Sequence, residues 1–266
     1  MSFKQAFANP LKEKLRKGKS TFGIWVTMHD ASISEISSAM GLDWVVVDLE
    51  HSSLSLKDVV AHIRAAKGSQ TSVLVRVPTD GLETIKRVLD LGAHSILVPN
   101  VRSAEEISEV VSLCKYPPLG TRGIGGDRTI GWGLGVDSYL DHADEQVMVV
   151  PVVETREAVE NIDSILDVQG IEALFFGPAD LSSNYGFRGQ WFGGDTEKMI
   201  VDIAKQASDK GIGSGLIARN AVEAKQKLSE GFQMIGLGSD AGLVVGGVAT
   251  KLGEITGKKP EKLGFS

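Results

Sequence analysis

The sequence alternates between two hydrophobic periods along almost its whole length, and this alternation constrains the fold more than any other feature. Short runs of β-branched and aromatic residues, such as Trp44-Val45-Val46-Val47, are typical of strands buried on both faces. Longer stretches with apolar residues at helical spacing lie between them. The pattern predicts strands at 21–28, 44–49, 72–78, 95–99, 147–153, 173–177, 213–217 and 234–237. It predicts helices at 31–40, 55–67, 80–91, 103–115, 156–167, 195–210, 219–230 and 240–255. No composition shift marks a linker, so the alternation predicts an α/β fold, a single (β/α)8 TIM barrel spanning 1–266.

Two segments stand outside this alternation. Residues 3–18 suit an amphipathic helix, with apolar side chains at helical spacing from Phe3 to Leu15. Residues 116–145 contain many glycines and Trp132, and a connection of this length usually has a function. We therefore expect a lid or specificity loop there, in which Arg128 and Trp132 could close over a ligand. A packing anchor for the loop explains Trp132 equally well.

Composition narrows the classes of function and of partner. Of the 266 residues 42% are hydrophobic and 23% are charged, and the net charge of −6 is spread without a basic cluster. This distribution disfavours nucleic acid and favours small-molecule partners. Cys114 is the single cysteine, and its apolar helical surroundings predict a core position. The N-terminus lacks a signal-peptide core, and no apolar run reaches the ~20 residues that a membrane span needs, so a cytoplasmic location is expected.

Polar side chains follow several predicted strands at the point where each strand ends. The second strand ends on Asp48, Glu50 and His51, and the third carries Arg76 among valines. Glu154 follows the fifth strand, and Asp180 lies just after the sixth. Barrel enzymes place their active sites at the carboxyl ends of the strands, so we expect these side chains to share one end of the barrel.

Arg76 is the least ordinary of these residues. A guanidinium between valines in a barrel strand must be paired inside the barrel or point to its open end. Both a structural ion pair and an anion-binding site explain it. We favour anion binding, because the neighbouring strands offer carboxylates that need a shared cationic or metal partner.

Glu154 and Asp180 lie on consecutive predicted strands and form a pair of hard oxygen donors. Such a pair suits Mg²⁺ or Mn²⁺ completed by water and substrate better than a structural zinc. The segment from Gly177 to Ser182 opens a helix whose N–H groups could hold a carboxylate, although Asp180 would also suit an ordinary N-cap. No lysine falls on a predicted strand end, which disfavours a Schiff-base enzyme.

These motifs together resemble those of the HpcH/HpaI class II aldolases, over nearly the whole chain. The residues that carry the resemblance are Gly41-Leu42-Asp43-Trp44, Asp48-Leu49-Glu50-His51, Val75-Arg76-Val77-Pro78, Leu97-Val98-Pro99, Tyr116-Pro117-Pro118, Arg122-Gly123, Glu154-Thr155-Arg156 and Phe176-Gly177-Pro178-Ala179-Asp180-Leu181.

The resemblance implies a role for each matching residue. Glu154 and Asp180 would bind the divalent metal, with Co²⁺ as a further candidate beside Mg²⁺ and Mn²⁺. His51 would be the acid–base residue, and Arg76 would steady the enolate. Supporting roles are implied for Asp90, which would raise the basicity of a neighbouring subunit's histidine, and for the backbone amides of Ala179 and Asp180, which would hold the pyruvate carboxylate. One position departs from the family pattern, since Val152 stands where many relatives carry a glutamine that contacts pyruvate.

The expected function is therefore metal-dependent cleavage or formation of the bond between pyruvate and an aldehyde in a 4-hydroxy-2-oxo acid. His51, supported by Asp48 or Asp90, would take the proton of the C4 hydroxyl. An oxaloacetate decarboxylase or an enolpyruvate-forming synthase would use the same site. A third and less favoured possibility is a phosphosugar isomerase. It is suggested by the glycines at 213–215 and 236–238, because many barrels bind phosphate after strands seven and eight.

The last predicted helix, at 240–255, indicates association between copies of the chain. Leu243, Val244, Val245, Val248 and Leu252 give it a wide apolar face. Either this face covers the helix's own barrel or it packs on a neighbouring subunit. The resemblance implies the second arrangement, in a homohexamer.

Overall fold

The fold is described from a computed structural model, which describes residues 8–188, 190 and 194–258. The strands are β1 Thr21–Val26, β2 Trp44–Asp48, β3 Ser72–Arg76, β4 Ser95–Val98, β5 Met148–Val153, β6 Ala173–Phe176, β7 Gly213–Ile217 and β8 Met234–Ser239. The helices are α1 Pro10–Arg16, α2 Ser32–Ala39, α3 Leu56–Ala65, α4 Leu82–Asp90, α5 Ala104–Cys114, α6 Val136–Gln146, α7 Arg156–Glu160, α8 Ile162–Leu166, α9 Pro178–Asn184, α10 Gly194–Asp209, α11 Ala221–Ser229 and α12 Asp240–Thr256.

The strands pair in chain order, all in parallel, and β8 pairs with β1. The sheet is thus a closed eight-stranded barrel, which confirms the predicted TIM barrel. All strands run in the same direction, so their carboxyl ends lie at one end, called the mouth, and their amino ends at the other, called the floor. Side chains at strand ends therefore meet at the mouth.

The short helix α1 closes the floor. Its Leu11 and Leu15 pack in one cluster with interior barrel residues such as Trp44 and Phe175. Asn9 caps α1 through the backbone N–H of Lys12, and its side chain also hydrogen-bonds to the floor ends of neighbouring segments. The predicted helix at 3–18 is confirmed from Pro10 onwards, and its first residues lie outside the described part. With the floor closed, the mouth is the open end.

The prediction that residues 116–145 form a lid is wrong for the mouth of the same chain. Its second part forms α6, with Tyr139 buried, a helix that the many nearby glycines and polar residues obscured. Its first part packs on the C-terminal end of α4, where Arg128 Nε donates to the Leu91 carbonyl at 2.9 Å. The connection from a helix to the next parallel strand lies at the amino ends of the strands. The segment therefore borders the floor and cannot close over the mouth of the same chain.

Other predictions from the sequence have definite outcomes. Cys114 is fully buried, as expected of a core residue. The predicted helix at 156–167 is two shorter helices that meet at Asn161. On α12 the apolar face is exposed, with Val245 67% and Val248 61% accessible, so this face does not cover its own barrel. No helix among the described residues is long and apolar enough to cross a membrane.

Candidate active site

Strands β2 and β3 position an ion pair at the mouth. Asp48 ends β2 and Arg76 ends β3, and the register of the two strands sets them side by side. Arg76 Nε donates to Asp48 Oδ1 at 2.9 Å, and Nη2 of the same guanidinium contacts Oδ2. Two parallel contacts of this kind are the strongest geometry in which arginine binds a carboxylate.

Glu50 is the second anionic partner of this guanidinium. Its Oε2 lies 3.1 Å from Arg76 Nη1, and the ring of Trp25 lies 5.4 Å from the guanidinium carbon. Burial alone would lower the pKa of Arg76, but Asp48 and Glu50 hold it above its ordinary value. Burial alone would raise the pKa of Asp48, but Arg76 and the backbone N–H groups of Glu50 and His51 lower it. Asp48 and Arg76 are therefore both charged at neutral pH.

The structural ion pair that the sequence left open for Arg76 is thus present. Three of its donors face carboxylates, so its burial is compensated without any ligand. The side chain keeps 11% exposure, and this remainder is the surface that an anion could reach. Anion binding by Arg76 stays a prediction.

Glu154 is a buried carboxylate with little compensation. The described residues give it one hydrogen-bond donor, the backbone N–H of Asn100, which lies 2.8 Å from Oε1. Burial, together with the nearby Asp180 and Glu50, raises the pKa of Glu154 to about 7, although Asn100 and Arg76 act in the opposite direction. A Cβ at Gly177 would lie 2.4 Å from Glu154 Oε2, so the position opposite this carboxylate requires glycine.

Asp180 lies in the first turn of α9, immediately after Ala179, and its carboxylate is exposed. No residue in the described part of the chain donates a hydrogen bond to that carboxylate. The first turn of a helix also leaves backbone N–H groups without intrahelical partners, which includes those of Ala179 and Asp180.

The donor set fits an open divalent-cation site better than a closed cage. Within the described ranges, no group of three or more His, Cys, Asp and Glu side chains could enclose a metal ion. Mg²⁺ and Mn²⁺ commonly take one or two carboxylates and complete their shell with water and substrate oxygens. Burial disfavours the charged form of Glu154, and a divalent cation shared with Asp180 would remove that cost.

His51 lies at the rim of the mouth. Its side chain is 65% exposed, and its Nε2 is 3.9 Å from Glu50 Oε2. Asp48 accepts from the backbone N–H of His51 at 3.2 Å while its oxygens face Arg76. The prediction that Asp48 supports the imidazole of His51 is therefore not what the structure shows, since Asp48 supports Arg76 and the turn that carries His51.

Asp90 lies at the opposite end of the barrel. It ends α4 at the floor, and Arg122 Nη2 lies 3.2 Å from its Oδ1. Asp90 and His51 therefore cannot meet within one chain. The contact that the family resemblance implies for Asp90 requires a second subunit.

Sequence reasoning missed two residues that connect the carboxylates of the mouth. Thr79 Oγ1 donates to Glu50 Oε1 at 2.6 Å, and Asn100 Nδ2 donates to Thr79 Oγ1 at 2.9 Å and to the same Glu50 oxygen at 3.2 Å. Both follow strand ends, Thr79 after β3 and Asn100 after β4. The rule that selected Glu154 would have found them if it had been applied to uncharged polar residues.

The glycines after strands seven and eight have a packing explanation. A Cβ at Gly215 would lie 2.5 Å from Met234 Cβ, and one at Gly236 would lie 2.9 Å from Ile217. These glycines let the β7 and β8 backbones pack closely. Their presence therefore gives no support to a phosphate site.

Comparison with known proteins adds to this geometry. The family model for HpcH/HpaI aldolase/citrate lyase matches residues 21–246. The chain is 37% identical to a 4-hydroxy-2-oxovalerate aldolase of Novosphingobium aromaticivorans over 238 residues, covering 89% of this chain and 90% of that protein. It is 34% identical to a hydroxypyruvate/pyruvate aldolase of Roseobacter denitrificans, covering 89% and 93%. A crystal structure of an HpcH/HpaI aldolase/citrate lyase family protein from Burkholderia cenocepacia superposes with a TM-score of 0.89 at 29% identity, covering 93% and 99%.

Ionisable side chains gathered at the carboxyl ends of the strands are the arrangement found in TIM-barrel enzymes. Within that class, the chain belongs to the HpcH/HpaI aldolase/citrate lyase family. It is a carbon–carbon lyase of the aldolase type.

Proposed function

We propose that this enzyme is a divalent-metal-dependent pyruvate aldolase that cleaves 4-hydroxy-2-oxo acids to pyruvate and an aldehyde, and catalyses the reverse condensation. The observation that carries the proposal is the buried Glu154 carboxylate, which lies near enough to Asp180 for that charge to raise its pKa and has one neutral donor in the described structure. A divalent ion, Mg²⁺, Mn²⁺ or Co²⁺, held by these two residues would act as a Lewis acid toward the oxygens of the 2-oxo acid.

Arg76 supports this chemistry by compensating the negative charge that develops on the 2-oxo oxygen during bond cleavage. Its guanidinium is held rigidly by Asp48 and Glu50, so it needs no reorganisation as the charge appears. The backbone N–H groups of Ala179 and Asp180 would hold the substrate carboxylate.

His51 is proposed to exchange the proton of the C4 hydroxyl. Its exposed imidazole is at the rim, where the aldehyde half of the substrate would leave, and Glu50 is its nearest described carboxylate. In an oligomer, Asp90 of a neighbouring copy would orient this imidazole. We propose a cytoplasmic homohexamer that acts on small molecules, assembled through the exposed apolar face of α12.

Pyruvate C3 proton exchange in deuterated buffer, followed by NMR, tests the metal part of the proposal. Enolisation needs the metal site without any aldehyde. The parent enzyme should exchange, whereas EDTA-treated enzyme and Glu154→Gln should lose exchange by at least ~10²-fold. Added Mn²⁺ should restore exchange in the first case and not in the second.

Glu157→Gln is the matched control, because it removes an exposed carboxylate on α7. It should exchange like the parent. Full turnover after EDTA treatment, with no metal left in the protein, contradicts the proposal. Product analysis with oxaloacetate and with a panel of aldehydes plus pyruvate separates an aldolase from a decarboxylase or synthase.

A further inference from the structure

Asn100 joins two otherwise separate parts of the mouth. Its backbone N–H holds Glu154, and its side-chain amide holds Glu50 and Thr79. The direction of the hydrogen bonds is fixed, because Glu50 can only accept and the one Thr79 proton goes to Glu50. Thr79 must then accept from Asn100 Nδ2, so both amide protons point into the network.

The backbone of Asn100 has an unusual conformation. Its φ is +52°, and among the described residues Trp132 is the other non-glycine residue with positive φ. Asparagine tolerates this left-handed region better than most residues, but the region still needs support from its surroundings. The amide contacts to Glu50 and Thr79 are the side-chain support in this structure. They fix the peptide whose N–H points at Glu154.

We propose that Asn100 is a positioning residue, whose side-chain amide sets the orientation of Glu154 and so the affinity of the mouth for a divalent cation. The inference rests on the proposed function, because it takes Glu154 as a metal-binding carboxylate. As a neutral donor between Glu50 and Glu154, Asn100 orders both carboxylates and leaves their charge available to the cation.

Titration of metal-free protein with Mn²⁺, with free Mn²⁺ measured by EPR, tests the inference without using turnover. Asn100→Gly removes the amide but adopts the left-handed conformation freely, so it should lose less thermal stability than Asn100→Ala. Its Mn²⁺ affinity should fall about 10- to 100-fold. Asn100→Ala should lose affinity similarly and should also be less stable.

Thr79→Val adds a readout that a merely structural role would not move. If Asn100 and Thr79 act through one network, their effects on Mn²⁺ affinity should not add. The double variant Thr79→Val/Asn100→Gly should then have about the same Mn²⁺ affinity as the single variant with the lower affinity. The matched control is Asn9→Gly, which removes side-chain amide hydrogen bonds of 2.9 Å to Ser95 Oγ and 3.0 Å to the Gln146 carbonyl at the floor. Its affinity should equal that of the parent.

Asn100→Gly within twofold of the parent affinity would overturn the inference while leaving the proposed function intact. An equal loss in Asn9→Gly would also overturn it, since the effect would then be general. Glu154→Gln is titrated in parallel to separate the two levels. Unchanged Mn²⁺ binding in that variant would remove the proposed function and this inference together.

Discussion

Replacing Arg76 by lysine keeps the charge at the mouth and removes the planar fork. In the structure the guanidinium makes two contacts to Asp48 and one to Glu50. A lysine ammonium can replace one of these well, because it is a point charge on a flexible stem. Glu50 Oε2, already buried without a hydrogen bond in good geometry, would lose its nearest described cation.

The structure allows a magnitude for this change. A hydrogen bond to a charged group contributes about 1.5–3 kcal/mol, so losing one Asp48 contact should lower the free energy of unfolding by about that amount. Losing the ion pair with Glu50 should lower it further. The effect on catalysis adds to this, since a displaced cation no longer meets the charge that develops on the substrate. We expect kcat/KM to fall at least ~10²-fold, or about 2.7 kcal/mol of transition-state stabilisation.

Steady-state cleavage of a 4-hydroxy-2-oxo acid and urea unfolding measure the two effects separately. Arg156→Lys is the matched control, because Arg156 is an exposed arginine that stacks 4.8 Å from the Tyr185 ring outside the ion-pair cluster. It should stay near the parent in both assays. An Arg76→Lys enzyme within a few-fold of parent kcat/KM would refute the assigned role of the fork.

Four further predictions concern the pH dependence of the site and the association of the chains. Because the pKa of Glu154 is raised to about 7, Mn²⁺ must displace a proton at lower pH, and its apparent affinity should fall about tenfold per pH unit below about pH 7, measured by titration at pH 8 and pH 6. In the metal-free protein the pKa of Glu154 in the folded state lies above the ordinary value of 4.5, so this carboxyl should make the free energy of unfolding fall as the pH rises from about 4.5 to about 7. Loss of this pH dependence in Glu154→Gln would show that Glu154 causes it. Light scattering should give a mass well above 28.4 kDa for the parent, and Val245→Asp/Val248→Asp should lower it; a parent mass of 28.4 kDa removes the oligomer. Asp90→Asn and Glu154→Gln, each impaired alone, should recover part of their activity as mixed oligomers, and no recovery contradicts a contribution of Asp90 to a neighbour.

The barrel could be predicted from the sequence because local pattern and global fold agree along most of it. The run from Trp44 to Val47 is apolar at every position and is fully buried, so its period alone identifies a strand covered on both faces. The prediction for the segment that contains α6 was wrong for the opposite reason. Its apolar residues are few, and the nearby glycines made a buried helix look like loop.

The site divides along a similar line. Which residues reach the mouth follows from strand ends, and Asp48, Glu50, Arg76 and Glu154 could be placed there from the sequence. How they pair depends on register and loop geometry, which the sequence does not show. Arg76 takes Asp48 because β2 and β3 pair those two positions, and this leaves Asp48 unable to serve the imidazole of His51.

Charge balance gives a further reason to propose that this mouth takes a divalent cation together with its substrate. Arg76 is shared by Asp48 and Glu50, while Glu154 and Asp180 have no cation paired with them in the described structure. A 2-oxo acid is itself an anion, and a surplus of carboxylates would repel it at close range. Burial is the main cause of the raised pKa of Glu154, and the nearby Asp180 and Glu50 add to it, so a proton on Glu154 partly relieves the surplus. A divalent ion at Glu154 and Asp180 would relieve it fully and would also attract the substrate, so cation and pyruvate should bind with positive coupling. Pyruvate affinity should therefore rise when Mn²⁺ is present, and equal pyruvate affinity with and without Mn²⁺ would contradict this account of the mouth.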